Sequence, residues 1–194
     1  MAEPGSRRAP PRLLRRPPGI LRGAQLRARR RWPLAALGLS LLVGCKPPWP
    51  RYAAPDGTFT AELPAPLRTD AERTEGNQRL LSVESRSEAE QAFLVQRRRP
   101  VPGLRVAAAG VLDNFCAEFA RSRSYQVTAD ARGTRRDGRL AQACAFRSEG
   151  LEIRIQLVAA GQCIYTLMAM WRGPAPDVDR FLDGFRVLKD CPVE

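Results

Sequence analysis

The stretch that decides the fold is Leu140-Ala-Gln-Ala-Cys-Ala-Phe-Arg147, Ser148-Glu149-Gly150, Leu151-Glu-Ile-Arg-Ile-Gln-Leu-Val-Ala159, Ala160-Gly161-Gln162 and Cys163-Ile-Tyr-Thr-Leu-Met-Ala-Met-Trp171. Three runs rich in apolar residues are joined by two short connections, each holding a glycine. Runs of this length between such connections read as strands in hairpins. In the middle run Leu151, Ile153, Ile155 and Leu157 alternate with Glu152, Arg154 and Gln156. That period of two predicts a strand that buries one face only. Parallel strands need a crossover of a dozen or more residues, so these connections imply an antiparallel meander.

Downstream, Pro174 and Pro176 end the meander. Asp177 is placed to cap a last helix over 177–187, with Val178, Phe181, Leu182 and Phe185 on one stripe. Upstream, Tyr125–Ala131 reads as a strand and Gly133–Gly138 as a charged turn. Over 104–122 the period changes. Val106, Ala109, Leu112, Cys116, Phe119 and Ala120 recur at helical spacing with Phe115 beside them, while Asp113, Glu118 and Arg121 lie outside. This predicts an amphipathic helix laid on a sheet. Further back come strands at Gln91–Arg97, Arg79–Ser85 and Thr58–Pro64, with Thr69–Gln78 as a loop and Tyr52–Gly57 as a turn. The order predicts an α+β fold: one antiparallel sheet of about six to seven strands with two main helices packed on it.

The opening and closing segments of this part resemble a family. Tyr52-Ala-Ala-Pro-Asp-Gly-Thr-Phe-Thr-Ala-Glu-Leu-Pro64 is similar to the start of PsbP/Mog1-like domains, where a turn precedes a Phe-containing strand and a proline. Phe181-Leu-Asp-Gly-Phe-Arg-Val-Leu188 resembles their closing helix. The resemblance covers roughly 52–188 and bears on fold, because that fold hosts varied, mostly adaptor-like roles.

Ahead of the domain lies Arg29-Arg30-Arg31-Trp32, then an apolar run from Pro33 to Gly44 interrupted only by Ser40, then Cys45. A membrane-spanning helix needs roughly 20 apolar residues, and this run is too short. It fits the core of a secretory signal peptide with the arginines as its cationic start. A buried core helix would show a polar face, and an uncleaved anchor would have to continue through Lys46-Pro47-Pro48. Leu42-Val43-Gly44-Cys45 resembles the lipobox of bacterial lipoproteins. In that family the cysteine thiol takes a diacylglyceryl group, the chain is cut before it, and the new amino end is acylated. The resemblance makes residues 1–44 an Arg-rich leader and signal peptide, Cys45 the lipidation site, and 45–51 a Pro-rich linker. Residues 52–194 form a single domain. Trp49 either sits in the membrane interface or packs under that domain.

The chain carries 32 basic and 20 acidic residues, a net +12. Ten arginines and one glutamate belong to 1–44, so 45–194 keeps 22 basic and 19 acidic residues, a net +3. A charge of +3 over 150 residues gives no electrostatic case for nucleic acid. The high charge belongs to targeting.

There is no histidine. Serine and cysteine nucleophiles of the usual kind lose their base, and most zinc sites lose a ligand. Carboxylate hydrolysis remains possible in principle, but the acids fall in turns (Asp56, Asp137, Glu149) or on helix surfaces (Asp113, Glu118). Asp177, Asp179 and Asp183 depart from calcium-loop spacing and suit the start of a helix. Arg97-Arg98-Arg99-Pro100 reads as a solvated loop at a strand end, an anion site being the alternative. No catalytic residue, metal or cofactor is predicted.

Setting Cys45 aside leaves Cys116, Cys144, Cys163 and Cys191, an even number that reads as two disulfides in an exported domain, the alternative being four buried free thiols in a cytoplasmic protein. Chain reach bears on the pairing. The strand from Cys163 travels about 26 Å, the helix 177–187 returns about 16 Å, and four extended residues add about 13 Å. Cys191 then arrives near Cys163, within the ~5.5 Å Cα separation a disulfide needs. Cys116 is left with Cys144, since a strand separates Cys144 from Cys163. The expected protein is a lipid-anchored bacterial envelope lipoprotein with a non-enzymatic binding or adaptor domain. It faces the periplasm or exterior and meets an envelope-protein or cell-wall partner. The alternative is an envelope hydrolase working with carboxylates.

Overall fold

The computed structural model describes residues 48–86, 90–105 and 107–192. The leader, the lipobox with Cys45, Lys46-Pro47 and Val106 of the predicted helix stripe lie outside the described residues. In chain order the elements are β1 (Arg51–Ala53), β2 (Phe59–Glu62), β3 (Leu67–Thr69), β4 (Arg73–Glu75), β5 (Gln78–Arg86), β6 (Ala92–Pro100), α1 (Ala108–Arg123), β7 (Gln126–Arg136), β8 (Arg139–Ser148), β9 (Leu151–Ala160), β10 (Cys163–Arg172), α2 (Val178–Asp183) and β11 (Arg186–Val187).

Eight strands form one sheet in the order β3-β5-β6-β10-β9-β8-β7, with β4 also paired to β5; β1, β2 and β11 form a second, three-stranded sheet. Every ladder is antiparallel. The mostly antiparallel α+β design stands, but the described residues hold eleven strands where about six or seven are predicted. The added ones are short: β1, β3, β4 and β11 span two or three residues, too few to show a period of two.

Each face of the large sheet carries a packed layer. On one face Val83, Phe93, Val95, Tyr165 and Leu167 pack against Phe59 and Ala61 of β2, Phe181 of α2, and Phe185. On the other, Phe146, Ile153, Ile155, Leu157 and Ile164 lie under Leu112, Cys116 and Ala120 of α1. Each fully buried phenylalanine contributes about 1.5–3 kcal/mol by leaving water. Strand β9 serves both clusters, since Val158 and Ala160 join the first and Ile153 to Leu157 the second. Its single-faced burial therefore holds only for its first half.

Helix α1 starts at Ala108, and Ala109 is exposed. Strand β7 runs through the predicted turn to Arg136, with register shifts between Val127 and Ala129 and between Ala131 and Thr134. Helix α2 ends at Asp183 because the chain turns at Gly184, whose Cα approaches Glu62 so closely that a Cβ there would lie 2.8 Å from the Glu62 Cβ. Asp177 is the N-cap residue but makes no side-chain capping hydrogen bond. Trp49 packs on the domain: its ring centroid is 5.7 Å from that of Phe93, and the Arg180 guanidinium sits 4.5 Å over it.

Two disulfides tie these layers. Cys116–Cys144 joins α1 to β8 across a Cα separation of 6.1 Å, and Cys163–Cys191 joins the start of β10 to the chain's last described turn across 5.5 Å. Around the second, Cys191 N donates to Ala160 O and Gln162 N donates to Cys191 O.

Candidate functional site

Strand β6 carries Phe93 and Val95 into the core, and the same alternation sends Arg97 after them; Arg97 is 2% exposed. The three arginines are thus a continuing strand and not a solvated loop, with register unbroken to Gln78↔Pro100 on β5. A guanidinium this deep needs compensating charge. The turn after β1 and the segment between β3 and β4 supply it. Arg97 Nη1 donates to Asp56 Oδ2 and, at 2.8 Å, to Thr58 Oγ1; Nη2 donates to Glu72 Oε1 at 2.8 Å. Arg99 Nη2 donates to the other Glu72 oxygen at 2.7 Å. Asp56 Oδ1 accepts from both the backbone N–H and the hydroxyl of Thr58.

Above this network opens a cleft of about 460 Å³ walled by Tyr52, Pro55, Asp56, Glu72, Arg97 and Arg99. Partial burial raises the Asp56 pKa, but hydrogen bonds from Thr58 and the charge of Arg97 outweigh it and leave the carboxyl below its ordinary value. Glu72 is likewise lowered: burial opposes, and Arg99 and Arg97 prevail. Burial raises the phenol of Tyr52 on the cleft wall and that of Tyr165 beneath it. At neutral pH the cleft therefore offers ionised acceptors, the neutral Tyr52 phenol and the Arg97 and Arg99 cations. Such a surface recognises polar groups through carboxylate acceptors and through N–H and O–H donors.

The other sequence-flagged residues lie apart. Asp113 and Glu118 are exposed on α1, and Asp137 and Glu149 sit in turns. Asp179 pairs with Arg154 at 3.1 Å. Among the described residues no three His, Cys, Asp or Glu side chains are grouped to hold a metal. No helix among them is long and apolar enough to cross a membrane. The partners Thr58 and Glu72 were not singled out from the sequence; the one signal toward them was the arginine run, whose alternation with Phe93 and Val95 marks Arg97 as inward-facing.

The solution structure of cyanobacterial PsbP (CyanoP) from Synechocystis superposes with a TM-score of 0.52 over 77% of this chain and 95% of that one, at 11% identity. The fold is PsbP-like. No family model and no curated protein matches the sequence. At this identity the likeness speaks for the layered sheet and helices alone.

Proposed function

We propose that this chain is a lipid-anchored bacterial envelope lipoprotein. Residues 1–44 direct export and are removed, Cys45 takes the lipid, and the PsbP-like domain serves as a non-enzymatic binding or adaptor module. The observation that carries this reading is cysteine usage: Cys116, Cys144, Cys163 and Cys191 pair among themselves, which suits an oxidising compartment and leaves the lipobox cysteine to separate chemistry. The early start of the domain supports it as well, since Trp49 already packs on Phe93. The Arg97 cleft is the proposed contact for a polar segment of an envelope partner.

The hydrolase alternative needs a carboxyl that stays protonated near neutral pH to act as general acid. Asp56 and Glu72, the two carboxylates that Arg97 binds in the cleft, which Asp70 also lines, are both held lower than usual, which favours the binding role. Growing a bacterium that expresses the chain on labelled palmitate tests the anchor. Label should enter the wild-type protein and be absent from Cys45→Ser; equal labelling of both would refute the assignment.

A further inference from the structure

Beyond this reading, the sheet face opposite the Arg97 cleft holds a second groove. Helix α1 packs over β7 and β8, so the same face of β5, β6 and β10 continues past the helix edge. Ser82, Gln96 and Thr166 stand there in register across these three strands. Gln96 donates to the Ser82 hydroxyl, and Arg98 Nε donates to Gln96 Oε1 at 2.8 Å. Thr166 is 6% exposed, and its hydroxyl has no hydrogen-bond partner among the described residues. It lines a small cavity of about 30 Å³ whose walls Gln78, Arg98, Val111 and Phe115 also line the open groove of about 560 Å³. That volume lies within the roughly 300–1,000 Å³ of small-molecule sites.

Two arginines, Arg98 and Arg105, line the groove. Arg98 is bound to Gln96 through Nε and Arg105 is exposed, while burial lowers the Arg98 pKa and Glu75 opposes that. Ala107, the N-cap of α1, and Gly110 in its first turn line the groove as well. That N-terminus has no side-chain cap and no acid in its first turn, so its backbone N–H groups and positive dipole end stay available to an anion. Glu118, the acid lining the groove, lies eleven residues along the helix, about 16 Å from Ala107 at 1.5 Å per residue. Phe115 offers the groove a ring, Gln78 and Asn114 offer it polar atoms, and Thr166 offers its hydroxyl in the adjoining small cavity.

We propose that this groove binds an anionic sugar, its phosphate or carboxylate held by Arg98, Arg105 and the α1 N-terminus, and its ring resting on Phe115 with hydroxyls reaching Gln78 and Thr166. The probe is glucose 6-phosphate, titrated into the full chain in detergent and followed by amide NMR. Saturable shifts at Ala107–Gly110 and Thr166 are expected, with affinity at least about tenfold above that for inorganic phosphate or for glucose. The double variant Arg98→Gln/Arg105→Gln should lose about tenfold or more, in line with charge-assisted hydrogen bonds. Arg121→Gln, an exposed arginine farther along α1, should bind as wild type, and an unchanged thermal midpoint shows that the double variant is folded. Thr166→Val keeps the shape and should weaken glucose 6-phosphate while leaving inorganic phosphate unchanged. Four results would each overturn the proposal: no saturable shift, equal affinity for inorganic phosphate, indifference to the double variant, or binding only to phosphatidylglycerol vesicles.

Discussion

The Arg97 side chain is 3% exposed, whereas those of Asp56 and Glu72 are 37% and 29% exposed. This asymmetry fixes what each substitution should do. Removing both acids strands a buried cation, which costs about 3–5 kcal/mol. Removing the cation by Arg97→Met leaves two carboxylates that water already reaches, and the apolar stem still fills the core, so the loss should stay below about 2 kcal/mol. Urea unfolding of Asp56→Ala/Glu72→Ala and of Arg97→Met checks the order; a larger loss in Arg97→Met contradicts it. The same carboxyls set a pH dependence. Both folded-state pKa values are depressed, so their contribution is complete above the unfolded values of about 4 and fades as pH falls through the folded ones. Thermal midpoints between pH 6 and pH 2 should therefore drop more steeply in wild type than in Asp56→Asn/Glu72→Gln. Parallel curves would mean that the two acids do not sense folding.

At the scale of elements, legibility followed length and periodicity. Strands β8, β9 and β10 each run ten residues, long enough for alternation and turn residues to agree, and their antiparallel order could be read directly. Strands of three residues carry no period, so β1 and β3 had no signature of their own. The end of β6 failed for another reason: charge in Arg97-Arg98-Arg99 reads as solvent, and the acids that neutralise Arg97 are 41 and 25 residues away. Phe181 and Phe185 are both fully buried at helical spacing, yet the chain leaves the helix between them to send β11 back to β2. The Cys163–Cys191 region was approachable because strand and helix lengths limit where a terminus can arrive. Its turn sets a test. Gly161 has φ +60°, and a Cβ there would lie 2.2 Å from Cys191 O. Gly161→Ala adds left-handed strain of about 1–3 kcal/mol to that clash, so it should lose about 2 kcal/mol or more in urea unfolding. A neutral result would show that the Cys191 segment does not hold to the β9–β10 turn.

For the whole molecule, the sheet's two faces separate two candidate surfaces, the Arg97 cleft on one side and the α1 groove on the other. Fold could be read because burial imposes periods on sequence; the Arg97 site could not, because its partners meet only after three segments fold together. The targeting assignment rests on neither face. Intact-protein mass spectrometry of material extracted from the membranes of an expressing bacterium tests it most directly. The account predicts a chain that begins at Cys45, carries added diacylglyceryl and acyl mass there, and retains two disulfides. A chain that still includes residues 1–44, or one with an unmodified Cys45, would contradict it.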